Sequence, residues 1–243
     1  MSVTRIDCQI FRPDKARGDL SSYVAFNPSG MPGSFVVANA HAAREGIGAQ
    51  VACKLSLEHF VDGVLEYFSG EIGVPEGDIS LAVLESAFKK ANSSVYEFGH
   101  KLAAGGRLSA SMLGIVVEDN TIAAGRVGTC SAYLFRENEL FPFFETLDPK
   151  DISEDDFVGA KSLVTVELAS VPVQAGDRIF AFSSVLTEIN ERKLNSFAAN
   201  MTLESMDECK NCVEAVFGDK PPESFSMVAE IGPNTIYLSE VIG

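Results

Sequence analysis

The chain has 243 residues, with 19 basic and 34 acidic side chains and a formal charge of −15. Nucleic-acid backbones and anionic membrane surfaces both need cations from a partner, so this balance argues against either as a ligand. Apolar residues make up 46% of the chain, enough for a substantial core, which excludes a disordered or fibrous protein.

Met1 to Phe11 holds no apolar run of signal-peptide length, and no segment is long enough to span a bilayer. Both facts favour the cytoplasm. The cysteines Cys8, Cys53, Cys130, Cys209 and Cys212 are odd in number and mostly set among apolar residues. That is the usage of reduced core thiols, not of a disulfide framework.

The first forty residues read as strands. Ile6 to Phe11 alternates apolar and polar, and Tyr23 to Phe26 and Phe35 to Ala38 flank a turn rich in Pro, Ser and Gly. Two long helices follow, at 50–69 and 78–103. Leu57, Val61, Val64, Leu65 and Phe68 share a face of the first. In the second, Leu81, Leu84, Phe88, Ala91, Val95, Phe98 and Leu102 form one apolar stripe, with Asp78 as cap and Gly105-Gly106 as stop.

From Ser109 the period returns to that of strands. Met112 to Glu118 and Thr121 to Val127 flank Asp119-Asn120, and Ser131 to Arg136 and Glu139 to Phe143 flank Glu137-Asn138. Strands are expected again at Leu163 to Leu168 and Arg178 to Phe182, and short helices at Glu191 to Ala199 and Leu203 to Phe217. A last hairpin, Phe225 to Ile231 and Thr235 to Val241, is expected to turn at Gly232-Pro233-Asn234. No repeat or linker divides the pattern, so a single α+β domain over 1–243 is expected.

Several segments, in order from about Arg17 to Ile231, resemble the protein phosphatase 2C family. Phe35 to Ala43 resembles the strand and turn FVVADGMGG. Val127 to Leu134 resembles VGDSRAYL, and Val171 to Arg178 is similar to VPLKPGDR. Phe182 to Glu188 stands where CSDGLTD is found, and Glu223 to Val228 where DNVTVV is found. The resemblance implies a four-layer α-β-β-α sandwich, two antiparallel sheets flanked by helices. It also implies Mg²⁺ or Mn²⁺ at one end, held by carboxylates because hard dications need anionic oxygen.

The framework survives and the chemistry does not. The family's first aspartate falls at Ser22, with Asp19 as an alternative counterpart. Its bridging aspartate is Asn39, and the glycine that offers a carbonyl is Ala40. The SDG aspartate is Ser184, the VGD aspartate is Thr129, and the DN aspartate is Glu223. The flap segment after Leu140 is also short. These vestigial positions imply a catalytically inactive phosphatase-like module with no metal cofactor. Its expected partner is another protein: a kinase, a phosphoprotein or an active phosphatase.

Other candidates are weighed beside this reading. Arg17 matches the family's phosphate-binding arginine, although a surface ion pair serves equally. His41, where the family has methionine, is either a ligand or base or an ordinary loop histidine. A remodelled site of Glu223, Asp19 and His41 would make an active phosphatase using Mg²⁺ or Mn²⁺. Cys130 as a nucleophile lacks an evident base. Cys209 and Cys212 have CxxC spacing but no second pair for zinc, which favours core packing. The acidic run Asp148 to Asp156 lacks calcium-loop spacing and reads as solvated.

Overall fold

The alternating runs close into two facing sheets. They are seen in a computed structural model that describes residues 2–11, 20–28, 30, 34–69, 78–101, 108–118, 120–148, 151–153, 155–201, 207–218, 224–232 and 238–240. In chain order come β1 (Ser2–Phe11), β2 (Ser21–Phe26), β3 (Phe35–Ala42), α1 (Ile47–Phe68), α2 (Ile79–Lys101), β4 (Ala110–Glu118) and β5 (Thr121–Val127). Then follow β6 (Ser131–Arg136), β7 (Glu139–Pro142), β8 (Glu167–Pro172), β9 (Arg178–Phe182), α3 (Glu188–Asn200), α4 (Glu208–Phe217), β10 (Ser224–Gly232) and β11 (Leu238–Glu240).

One sheet has the order β11-β1-β10-β9-β6-β7 and the other β2-β3-β4-β5-β8. Every neighbouring pair is antiparallel except β1 and β11, which run parallel. Strand alternation sorts the side chains into layers. Val36, Ala38 and Ala40 of β3 pack with Phe60, Leu84 and Phe88 of α1 and α2. Phe35 and Val37 point the other way, meeting Ile6, Ile179, Phe225 and Met227 of the facing sheet. On that sheet's outer face, Phe180, Phe182 and Val228 pack under Leu194, Ala198, Cys209 and Cys212. The result is the expected α-β-β-α sandwich.

Two covered faces explain why the strands are more uniformly apolar than a half-solvated sheet requires. All of β4 is buried. The helix layer settles onto this sheet because Gly114 and Gly125 stand opposite each other in register. A Cβ at Gly114 would lie 2.8 Å from Phe60 Cζ, and one at Gly125 would lie 2.8 Å from Phe88 Cε2. The Phe60 and Phe88 rings meet edge to face at 5.3 Å above this recess.

Local signals hold well. Asp78 Oδ1 accepts from Ser80 N at 2.9 Å, capping α2 as expected. Glu137 and Asn138 take φ of 52° and 66°, and Asn120 takes 74°, as their tight turns demand. Helix α3 begins a turn earlier than expected, where the Thr187 hydroxyl accepts from Asn190 N. The five cysteines are free and buried. Among the described residues, no helix is long and apolar enough to cross a membrane.

Two expectations fail. The last hairpin does not form, because both edges of β10 are taken by β1 and β9 while β11 lies across β1. The strand expected at Leu163 to Leu168 is Glu167–Pro172, since β5 offers partners only from Thr121 to Arg126. Val164 and Val166 instead pack against the helix-side core. Gly105-Gly106 and Pro233-Asn234 lie outside the described residues.

Overfilling the glycine recess tests the layering. We expect Gly114→Ala to lower stability by about 1–3 kcal/mol, because Phe60 and Leu84 must shift. A thermal melt should fall by about 2–4 °C for each kcal/mol.

Candidate functional site

Register sets which side chains meet at the cleft end of the sandwich. Phe35 and Val37 face the opposite sheet, so Asn39 and His41 continue that line along β3. Cross-strand pairing adds Tyr23 beside Asn39, Ser21 beside His41 and Ser111 on the other flank of His41. The Tyr23 ring reaches Phe225 of the facing sheet at 5.3 Å. At that end of the facing sheet, Ser183 bonds Phe225 in both directions, through N to O at 3.1 Å and from Phe225 N to Oγ at 3.0 Å. Ser184 follows directly.

The polar groups here are neutral and mostly tied to the backbone. Asn39 is fully buried, and its Nδ2 donates to the Ser22 carbonyl at 3.0 Å and weakly to the Ala40 carbonyl at 3.4 Å. Asn39 Oδ1 and the Ser184 hydroxyl are buried without a partner among the described residues. The Ser184 carbonyl accepts from Ser131 Oγ at 2.7 Å. Thr129 N donates to Ser111 Oγ at 2.8 Å, and the two hydroxyls lie 2.8 Å apart. His41 Nδ1 lies 2.5 Å from Ser21 Oγ, and burial lowers the imidazole pKa.

Asn39, Ser184 and Thr129 therefore gather around this end, with Ala40 offering a carbonyl. Ser22 contributes only its carbonyl. Its cross-strand partner is Ala40, which packs toward the helices, so its side chain lies on the far side of the sheet. Ser21 and Tyr23 take the cleft face instead, and residue-by-residue matching of short strings overlooked both. The period-two alternation of β2 was the signal available. Glu223, Arg17 and Asp19 lie outside the described residues.

Two close dications need several anionic oxygens. The described positions supply an amide, hydroxyls and carbonyls, and the Asn39 amide turns its N–H groups toward the carbonyl oxygens. No group of three or more His, Cys, Asp or Glu side chains suited to a metal ion converges among the described residues. This donor set does not fit a dinuclear Mg²⁺ or Mn²⁺ centre.

The remaining candidates are structural. Cys130 is fully buried and its thiol is pushed up to about 12 by desolvation, the reverse of an activated nucleophile. Burial also raises Cys209 and Cys212, which pack beneath α4. In the acidic run, Asp156 Oδ2 accepts from Ser153 N at 2.8 Å and Asp155 lies 3.3 Å from Lys161. His59 lies 3.5 Å from Asp62, and His100 packs on the Tyr96 ring at 4.2 Å.

No protein-family model and no curated protein sequence matches the chain. Solved structures do. A bacterial serine phosphatase superposes with a TM-score of 0.72 at 13% identity, over 95% of this chain and 99% of its own. The phosphatase MsPP from Mycobacterium smegmatis, solved with cacodylate, gives 0.66 at 12%, over 96% and 100%. The catalytic domain of the serine/threonine phosphatase PstP, in complex with two manganese ions, gives 0.62 at 16%, over 95% and 99%. The chain thus has a protein phosphatase 2C-like fold, shared along nearly the whole length of these enzymes.

Two variants probe the cleft. Asn39→Asp should cost about 2–4 kcal/mol, because it removes a buried donor and sets a carboxylate against the Ser22 carbonyl. Denaturant unfolding without added metal measures this. For His41, the folded state disfavours the proton, so stability should fall as pH drops through the unfolded value near 6.5. His41→Gln should flatten that part of the stability profile between about pH 7.5 and 5.5.

Proposed function

We propose that the protein is a catalytically silent phosphatase-like domain that works by binding another protein. The observation that carries this reading is the Asn39 amide, donating to the Ser22 carbonyl at the position where the resemblance to the protein phosphatase 2C family implies a bridging carboxylate. Neutral Ser184 and Thr129 support it. Desolvating two dications against these groups costs more than neutral oxygens return. Metal chemistry is lost while the framework that displays the protein's surface is kept.

The opposing reading is an active phosphatase with a remodelled site drawn from Glu223, Asp19 and His41. The burial-lowered pKa of His41 suits a neutral ligand, but its ring already engages Ser21.

Thermal melting with and without millimolar Mn²⁺ or Mg²⁺, beside an aryl-phosphate assay, separates the two. Occupancy at a hundred times the dissociation constant stabilises by about 2.7 kcal/mol, a rise of about 5–11 °C for a chain of this size. We expect no such rise and no chelator-sensitive turnover. A rise accompanied by turnover that EDTA abolishes would overturn the proposal.

A further inference from the structure

A groove of about 610 Å³ opens on the outer face of the six-stranded sheet, between strand β7 and helix α3. This size suits a short peptide stretch or a ligand of similar bulk. Its floor is Tyr133, Leu140 and Pro142, and one wall is the α3 face carrying Glu188, Glu191 and Arg192. Asn138 and Glu139 border the opposite rim, where strand alternation turns the Glu139 side chain away from the face of Leu140 and Pro142.

The wall is ordered from beneath. Tyr133 is buried, and its hydroxyl donates to Glu191 Oε1 at 2.9 Å. Burial and the neighbouring Glu191 raise the Tyr133 pKa, which keeps the phenol protonated as a donor. Glu191 is thereby fixed in place with its second oxygen unpartnered among the described residues. Arg192 is already engaged by Glu188 at 3.3 Å. Glu188 and Glu191 thus share this wall with one guanidinium that is itself in use.

The rim strand adds a main-chain feature. Strand β7 ends its sheet. Its two-residue turn closes on the Arg136–Glu139 pair, and Phe143 N donates to Ala132 O. Leu140 pairs with Phe135, three steps from the bonded Ala132–Phe143 pair in this alternating ladder, and therefore directs its N–H and C=O away from β6. Pro142 prevents a longer ladder from forming.

We propose that this groove docks a basic, arginine-bearing extended segment of a partner protein. The segment's backbone pairs with Leu140, its apolar side chains rest on Leu140 and Pro142, and a guanidinium meets Glu191 with Glu188 one turn away. Arginine suits the site better than lysine because its planar fork binds carboxylates at two points and is less strongly hydrated. The chain's net charge of −15 favours encounter with such a segment. This deepens the binding-module reading and rests on it. Metal-dependent turnover would overturn that reading alone, whereas the groove is judged by peptide binding.

The test is fluorescence anisotropy with a labelled octapeptide carrying two arginines among leucine and alanine, and a twin with citrulline for arginine. We expect saturable binding of the arginine peptide, weaker by about tenfold for the twin. The double variant Glu188→Gln with Glu191→Gln should lose about tenfold. Changing Glu85→Gln and Glu97→Gln on α2, where both pair with lysines, should leave affinity within about twofold. Circular dichroism checks folding, and the exposed Glu188→Gln alone carries the test if the double variant melts early. Equal losses in both sets, no saturable binding, or displacement by spermine at peptide-like concentrations would each overturn the proposal.

Discussion

The buried guanidinium of Arg126 is the contact on which the arrangement of both sheets depends. Arg126 is 2% exposed, yet it sits near the end of an otherwise apolar strand. It binds Glu167 through two bonds of 3.0 and 2.8 Å, fixing β8 to β5. It also donates to the Cys130 carbonyl at 3.2 Å and the Glu145 carbonyl at 2.7 Å, and lies 4.8 Å over the Phe144 ring. Those carbonyls belong to the passages into and out of the β6–β7 hairpin. A planar five-donor group can hold all of these at once, which lysine cannot. The hairpin that bears the groove and the Thr129–Ser131 turn at the cleft are thus set by one side chain. Glu167 remains 44% exposed, so the pair keeps part of its hydration and its cost of burial is moderate.

On that scaffold, the described polar groups of the cleft are neutral. Asparagine and aspartate differ little in size, so Asn39 occupies the strand without altering β3 pairing. What differs is the sign of the group turned toward the backbone. A carboxylate offers only acceptors and relies on a cation for balance. The amide offers donors and finds the Ser22 carbonyl. The cleft is thereby partly self-satisfied and needs no ion to offset buried negative charge. Asn39 Oδ1 and the Ser184 hydroxyl, both unpartnered, mark where that satisfaction ends.

Most of the fold was legible in the sequence because its signals are local. The stripe of α2 from Leu81 to Val95, the Asp78 cap and the Glu137-Asn138 turn act over a few residues, and each forms as expected, whereas Phe98 at the end of the stripe is 38% exposed. What was illegible depends on distant partners. Nothing near Phe225 announces that β1 will take the edge where a hairpin was expected. The bounds of β8 come from the length of β5, forty residues earlier, and not from its own apolar pattern. In the cleft, short matched strings found Asn39 and Ser184. They passed over Ser21 and Tyr23, whose importance lies in which face of β2 they occupy. Arg126 stood in plain sight as a charge within an apolar run, but its carboxylate partner Glu167 is 41 residues away.

The two regions also divide the roles that charge can play. Inside the sandwich, low polarity makes each unbalanced charge expensive, so the loss of a cation requires the loss of the carboxylates that faced it. On the outer face, Glu188 is 82% exposed and costs little to keep. Anionic side chains are therefore inexpensive around the β7–α3 groove, while the described polar positions of the cleft are neutral. The charge of the one and the neutrality of the other are separable properties of the same fold, with the Arg126 clasp lying beneath the hairpin that borders both.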